Sequence, residues 1–283
     1  MVSSVAIKHL PEIFKKQSAE DRSINVFSAF GKTTNNLEKV LNAYREGNTR
    51  DSEKTLSELK VFHLQIAREL FPEQHAVFSM IENIFGKIEK ILSSVGKNEN
   101  PKFSYDQIVP FGEILAATIA SEYLSFAHVS NELAHAIDFL KTDSSFTYAN
   151  VDKKATLENF KKLAQHKNII TEGFIGICEG GMTTLGREGS DYTAGLLGNI
   201  LDADKVILWK DVPGVMDKNP KHAGHEDAKK IDSMTYTELE KNLDTTAKGL
   251  VHPKTMNEVK EKNISLQVRP FWDLESKGTI IHI

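Results

Sequence analysis

Three loops carry the residue types and spacings that could do chemistry. Residues 184–203 read TLGREGSDYTAGLLGNILDA. Gly186 and Gly189 let a backbone approach a ligand, Arg187 offers a planar fork for a carboxylate, and Ser190 with Asp191 stands where a helix begins. The same residues also describe an ordinary glycine turn followed by an Asp N-cap. Residues 209–221, WKDVPGVMDKNPK, end a strand in Lys210-Asp211 and continue through Pro-Gly into a loop that closes on Lys221. Such a loop can hold the sugar and phosphates of a nucleotide without a Walker sequence, or it can be a solvated turn. Residues 28–35, SAFGKTTN, set Gly-Lys-Thr-Thr after a strand and superficially suggest a phosphate-binding P-loop. The glycine that a P-loop needs five positions before Gly31 is Val26, so that chemistry is not expected.

The surrounding elements must place these loops. Val5, Ile7, Leu10 and Phe14 fall at helical spacing, INVFSAF reads as a short buried strand, and LEKVLNAYREG comes next as a helix. From about residue 51 to 95, Leu56, Leu59, Phe62, Ile66 and Leu70, then Phe78, Ile81, Ile84, Ile88 and Ile91, predict a helical hairpin broken at Pro72. A further long helix begins near Gly112. In the second half NIITEGFIGI and KVILWKDVPGV read as buried strands, DYTAGLLGNILDA as the helix between them, and SLQVRPF and GTIIHI as closing strands. This βαβ alternation predicts an α/β fold with a mainly parallel, continuous sheet covered by helices, whose ligands sit beyond the carboxyl ends of the strands.

Composition narrows the function classes. A chain of 283 residues with 40% hydrophobic and 26% charged residues can bury a large core as one domain. The 35 Lys and Arg against 39 Asp and Glu give a net charge of −4, without the basic field that holds nucleic acid. Cys178 is the only cysteine, which excludes an internal disulfide and a cysteine-cluster zinc site and fits a reducing, cytoplasmic compartment. The first fifteen residues are too polar for a secretory signal, and no stretch nears the roughly 20 apolar residues that span a bilayer. Neither nucleic acid nor a membrane is an expected partner.

Taken in order, SAFGKTTN, FGE, TEGFIG, TLGREGSDYTA, WKDVPGV and VHPKT resemble the aspartokinase branch of the amino acid kinase family over essentially the whole chain. The resemblance implies a three-layer α/β/α sandwich around a mainly parallel sheet. A substrate lobe would cover about residues 1–170, and a nucleotide lobe about 171–283. It implies ATP-dependent phosphorylation of the L-aspartate side chain, with Mg²⁺, at the first step of lysine, threonine and methionine biosynthesis. In that reading Glu113 pairs with the substrate ammonium, Arg187 with its carboxylate, and Ser28 and Thr34 with substrate or the moving phosphoryl group. Ser190 and Asp191 flank the reaction centre, Asp191 orienting cations. Lys210, Asp211, Lys221 and Lys248 belong to the nucleotide side, Lys221 standing where the family has arginine. Dimerisation, common in the family, is implied without a located interface.

Three departures from the family pattern qualify these expectations. The opening K-F-G-G-[TA]-S loop of aspartokinases, with the first strand of the sheet, has no counterpart; Met1 to Ser4 align just after it. A start set at an internal methionine is the simplest account, and a genuine loss, leaving a non-catalytic binder of nucleotide or amino acid, is its rival. The family's G-A-K-V-[LI]-H-P segment appears as TAKGLVHP, which puts Gly249 where lysine is expected and Lys248 one place early, with His252 structural. No ACT regulatory region is present after the kinase motifs, so feedback inhibition by lysine or threonine is not expected of this chain.

Overall fold

Pro11 divides the first predicted helix in two, because a proline lacks the N–H that a continuing helix would need. The outcome is α1 (Ser4–Lys8) and α2 (Leu10–Lys15), with Pro11 in the first turn of α2. The protein is described from a computed structural model covering residues 4–16, 22–96, 100–163, 165–186, 188–218, 227–243 and 250–283. By internal contacts the chain separates into two units, residues 1–189 and 190–283.

In the first unit β1 (Ser23–Phe27) leads into α3 (Thr33–Arg45), which buries Leu37, Val40 and Leu41. The predicted hairpin is α4 (Thr49–Leu70) and α5 (Val77–Ser94), with Pro72 in the break. α4 starts at Asn48, whose side chain accepts the Asp51 N–H. α5 buries Ile81, Ile84, Phe85, Ile88 and Leu92, a stripe at helical spacing that joins α3 and α4 in one core. His63 is fully buried there; its Nδ1–H donates to the Leu59 carbonyl at 2.8 Å, and burial pushes its pKa down to about 4, keeping it neutral.

The next helices are α6 (Pro101–Ile108) and α7 (Phe111–Phe126), separated around Pro110. α7 is apolar almost all round, as a fully covered helix must be, and its Ala117 and Leu124 pack against Ile170 and Phe27 of the sheet. Then come β2 (Glu132–Leu133), α8 (Ala136–Phe139), α9 (Lys153–Phe160) and β3 (Asn168–Glu172). β3 lies between β1 and β2, parallel to both, with Phe27 in register with Glu172. The stretch NIITEGFIGI, expected as one strand, ends β3 at Glu172 and turns at Gly173-Phe174. It resumes as β4 (Ile175–Cys178), antiparallel to β5 (Gly181–Thr184). Phe174 has φ +70°, a left-handed conformation held by its carbonyl accepting the Leu185 N–H at 2.9 Å.

The second unit contains nearly all of α10 (Gly189–Ile200), followed by β6 (Lys205–Lys210), β7 (Ser233–Thr235), α11 (Tyr236–Asn242), α12 (Pro253–Glu261), β8 (Ser265–Pro270) and β9 (Thr279–His282). Its sheet runs β6-β8-β9-β7; β6/β8 and β7/β9 are parallel, β8/β9 antiparallel. Val206, Leu208, Leu266, Val268 and Ile281 bury one face against Met256 and Val259 of α12. The α/β class and the mainly parallel pairing agree with expectation. The described strands pair as three sheets; the Gly173-Phe174 turn diverts the chain after β3 into the separate β4–β5 hairpin.

Candidate active site

The carboxyl ends of β1 and β3 converge on a buried acid. Glu113 lies in the first turn of α7, where the helix dipole favours a negative side chain, and is 3% exposed. Its Oε1 accepts the Ala29 N–H at 3.4 Å and the Thr34 hydroxyl at 3.3 Å. Its Oε2 is buried with no hydrogen-bond partner, which leaves one acceptor without compensation. Burial pushes the pKa up to about 8; hydrogen bonds from its own N–H, Ala29 and Thr34 work against that, and the charge of Glu172 adds to it. Gly112 makes this approach of α7 to the loop after β1 feasible, since a Cβ there would stand 2.9 Å from the Ala29 Cβ. Ser28 is exposed one residue beyond β1, and Thr34 is half-buried in the first turn of α3.

Two further buried carboxylates, absent from the sequence-derived site, organise the same unit. Glu172 ends β3 at 1% exposure. It accepts His135 Nδ1–H on Oε1 at 2.6 Å and the Ala136 N–H on Oε2 at 2.8 Å. Asp106 of α6 is fully buried and accepts the N–H groups of Thr147 and Thr184 on Oδ2, at 2.9 and 3.0 Å, and the Thr184 hydroxyl on Oδ1 at 2.7 Å. Burial pushes Asp106 up to about 6 despite these bonds. Asp106 thus ties the end of β5, from which the glycine loop departs, to the segment around Thr147. Left-handed backbone concentrates here: Thr147 at φ +73°, Gly186 at +88° and Glu188 at +57°. A Cβ on Gly186 would lie 2.7 Å from the Tyr148 ring, so this position needs glycine twice over.

In the second unit Asp191, in the first turn of α10, and Lys210, the last residue of β6, form an ion pair at 2.5 Å with both side chains 21% exposed. Helix N-terminus and ammonium therefore meet at one carboxylate. Ser190 is half-buried beside Asp191, and Asp211 is exposed just beyond β6. Next to Lys210, the Trp209 ring carries the Arg269 guanidinium at 4.8 Å, and Arg269 also donates to the carbonyls of Leu274 and Ser276. Trp272 is 46% exposed on the loop after β8. His252 caps α12, its Nδ1 accepting the Lys254 N–H at 3.2 Å, a structural part.

Of the residues chosen from sequence, the structure brings Thr34 to Glu113 and Lys210 to Asp191; Arg187, Lys221 and Lys248 lie outside the described residues. Among the described residues no three His, Cys, Asp or Glu side chains gather into a metal cage. Within the same residues no helix is long and apolar enough to cross a membrane.

The model of the amino acid kinase family matches residues 2–270. The chain is 30% identical to aspartokinase 1, chloroplastic, of Arabidopsis thaliana over 93% of its own length and 47% of that protein. It is 30% identical to lysine-sensitive aspartokinase 3 of Escherichia coli over 71% of the chain and 45% of that protein. The crystal structure of E. coli aspartokinase III in complex with aspartate and ADP, in its R-state, superposes with a TM-score of 0.85 at 27% identity. That match covers 99% of this chain and 62% of the other. The chain thus spans about half the length of the curated relatives it matches.

Proposed function

The chain belongs to the amino acid kinase family, and from that premise we propose that it serves ATP-dependent phosphorylation of the side-chain carboxylate of L-aspartate. The observation that carries this reading is Glu113. It is a buried acid at a helix N-terminus and at the carboxyl end of a parallel sheet, with one oxygen held by Ala29 and Thr34 and the other unpartnered. A substrate ammonium supplies the missing donor and the compensating charge together. Arg187 then takes the substrate carboxylate, while Ser28 and Thr34 bound the space around the reacting groups. That the E. coli relative was crystallised with aspartate and ADP supports the substrate pair.

The reaction needs no covalent enzyme intermediate. A side-chain carboxylate oxygen of aspartate attacks the γ-phosphorus, and the bond from that phosphorus to the β,γ-bridging oxygen breaks. The products are 4-phospho-L-aspartate and ADP, so catalysis is alignment of two anions and neutralisation of their charge. Lys210 is the cation that Asp191 holds in place, with Asp211, Lys221 and Lys248 serving the nucleotide. Mg²⁺ would enter with the nucleotide, held mainly by phosphate oxygens, with Asp211, exposed just beyond β6, as a carboxylate that could reach it. When bound, it would offset charge on the phosphates.

Coupled measurement of ADP release with L-aspartate and ATP tests the proposal. Turnover that depends on L-aspartate and falls on Glu113→Gln is expected. Retained L-aspartate binding with no ADP release would instead make this chain a binding protein of the same fold, and neither binding nor release would refute the substrate reading.

A further inference from the structure

Glu113 does not sit alone. Glu172 is as deeply buried, ends the central strand β3, and raises the Glu113 pKa through its charge. Glu172 is in register with Phe27, two residues before the Ala29 whose N–H Glu113 accepts, and ionisation of one buried carboxylate opposes that of another unless a positive charge offsets it. Their surroundings divide the roles. Glu113 keeps Oε2 open, whereas Glu172 has both oxygens occupied, Oε1 by His135 at 2.6 Å and Oε2 by the Ala136 N–H at 2.8 Å.

His135 is the residue before α8, and its side chain is 40% exposed, so its ring exchanges protons with solvent while gripping a carboxylate that is not exposed. The groups that bear on it are Glu172 from β3, Asp138 from α8 and Lys87 from α5. Of these, the hydrogen bond from Glu172 dominates and holds the imidazole above its usual range, burial opposes it, Glu172 and Asp138 add favourable charge, and Lys87 subtracts. The 2.6 Å contact between Glu172 and His135 is thus an ion pair whenever the imidazole carries its second proton, the form that this contact favours. In that form the pair is internally neutral, and Glu113 remains the acid with an open oxygen for an arriving ligand.

We propose that His135 is a positioning residue for the ammonium site: by holding a positive charge on Glu172 it stops the two buried carboxylates from competing for one proton, and so leaves Glu113 to take the substrate cation. This rests on the ammonium-binding role proposed for Glu113. In this role His135 acts through the Glu172 carboxylate it holds, on the ionisation of Glu113.

The test is calorimetric binding of L-aspartate between pH 6 and pH 8.5, on the full chain and on His135→Gln, Glu172→Gln and the double variant, with thermal midpoints recorded for each. In the wild type, affinity rises with pH as Glu113 ionises. Removing the His135 cation leaves Glu172 uncompensated, so in H135Q the rise moves to higher pH and binding at pH 7 weakens about three- to tenfold. E172Q removes the competing charge and moves the rise to lower pH. The double variant returns toward the wild-type profile, which a merely structural loss would not do. If H135Q fails to fold, the opposite shift in E172Q still decides. Unmoved profiles, both single variants shifting the same way, or a double variant worse than H135Q would overturn the proposal. Glu113→Gln separates the levels. If it leaves L-aspartate affinity intact, the ammonium reading fails; if it weakens binding while the other variants leave the profile unchanged, only the role of His135 fails.

Discussion

Binding of an ammonium to Glu113 should expel a proton. With the pKa of Glu113 at about 8 in the empty site, about nine in ten molecules carry the proton at pH 7. Apparent affinity then scales with the ionised fraction, and from pH 6 to pH 8 it should rise by about fiftyfold, tapering toward the upper end. Calorimetry in two buffers of different ionisation enthalpy counts the protons directly. About 0.9 should leave per L-aspartate at pH 7, and about half of one at pH 8. The same group gives a stability signature without ligand. Its folded pKa lies above the unfolded value of 4.5, so the folded state binds more protons between those values, and stability falls as pH rises through that window. From pH 6.5 to 8 the loss attributable to Glu113 is about 1–2 kcal/mol, absent in Glu113→Gln. His135, also raised, adds a loss of the same sign, so the difference between wild type and variant isolates Glu113. A flat affinity profile with no proton release, or a Glu113→Gln variant that keeps the slope, would refute the reasoning.

Lys210→Met should lower kcat by about 10²–10³-fold with little change in KM for L-aspartate, as expected where a cation acts on developing phosphoryl charge; Lys210→Arg should recover part of it, and a change confined to KM would contradict the assignment. Asp106→Asn keeps the size but sets an NH₂ group against the donors of Thr147 and Thr184, so urea unfolding should show a loss of about 1–3 kcal/mol. An unchanged midpoint would mean that the strained segment around Thr147 is held by other contacts.

The parts of the fold legible in the sequence are those specified by nearby residues. The stripe through Ile81, Ile84 and Ile88 and the break at Pro72 specify the α4–α5 hairpin directly, and the strand endings at Phe27 and Lys210 are set by the polar and turn-forming residues just beyond them. The division of NIITEGFIGI is not legible, because Phe174 adopts φ +70° on account of a hydrogen bond to Leu185, which no local propensity encodes. For the site, Glu113 and Thr34 stand out by motif and do meet. Glu172 and His135 are 37 residues apart and escape a sequence reading; the available signal is a glutamate ending an apolar strand, which has meaning only once its partner is known. Asp106 escapes for the same reason, its partners lying 41 and 78 residues away.

The aromatic neighbour of Lys210 gives the molecule a built-in optical reporter. The chain has two tryptophans, Trp209 and Trp272, and both belong to residues 190–283. Tryptophan emission, excited beyond the absorption of the tyrosines, therefore reads the second unit alone, while far-ultraviolet dichroism is weighted toward the helices of the first. Trp209 emission is further conditioned by the guanidinium stacked on it, so displacement of Arg269 would be visible as a spectral change without any label. If fluorescence and dichroism trace different denaturation curves, the two units unfold separately; coincident curves would mean that they unfold as one cooperative body.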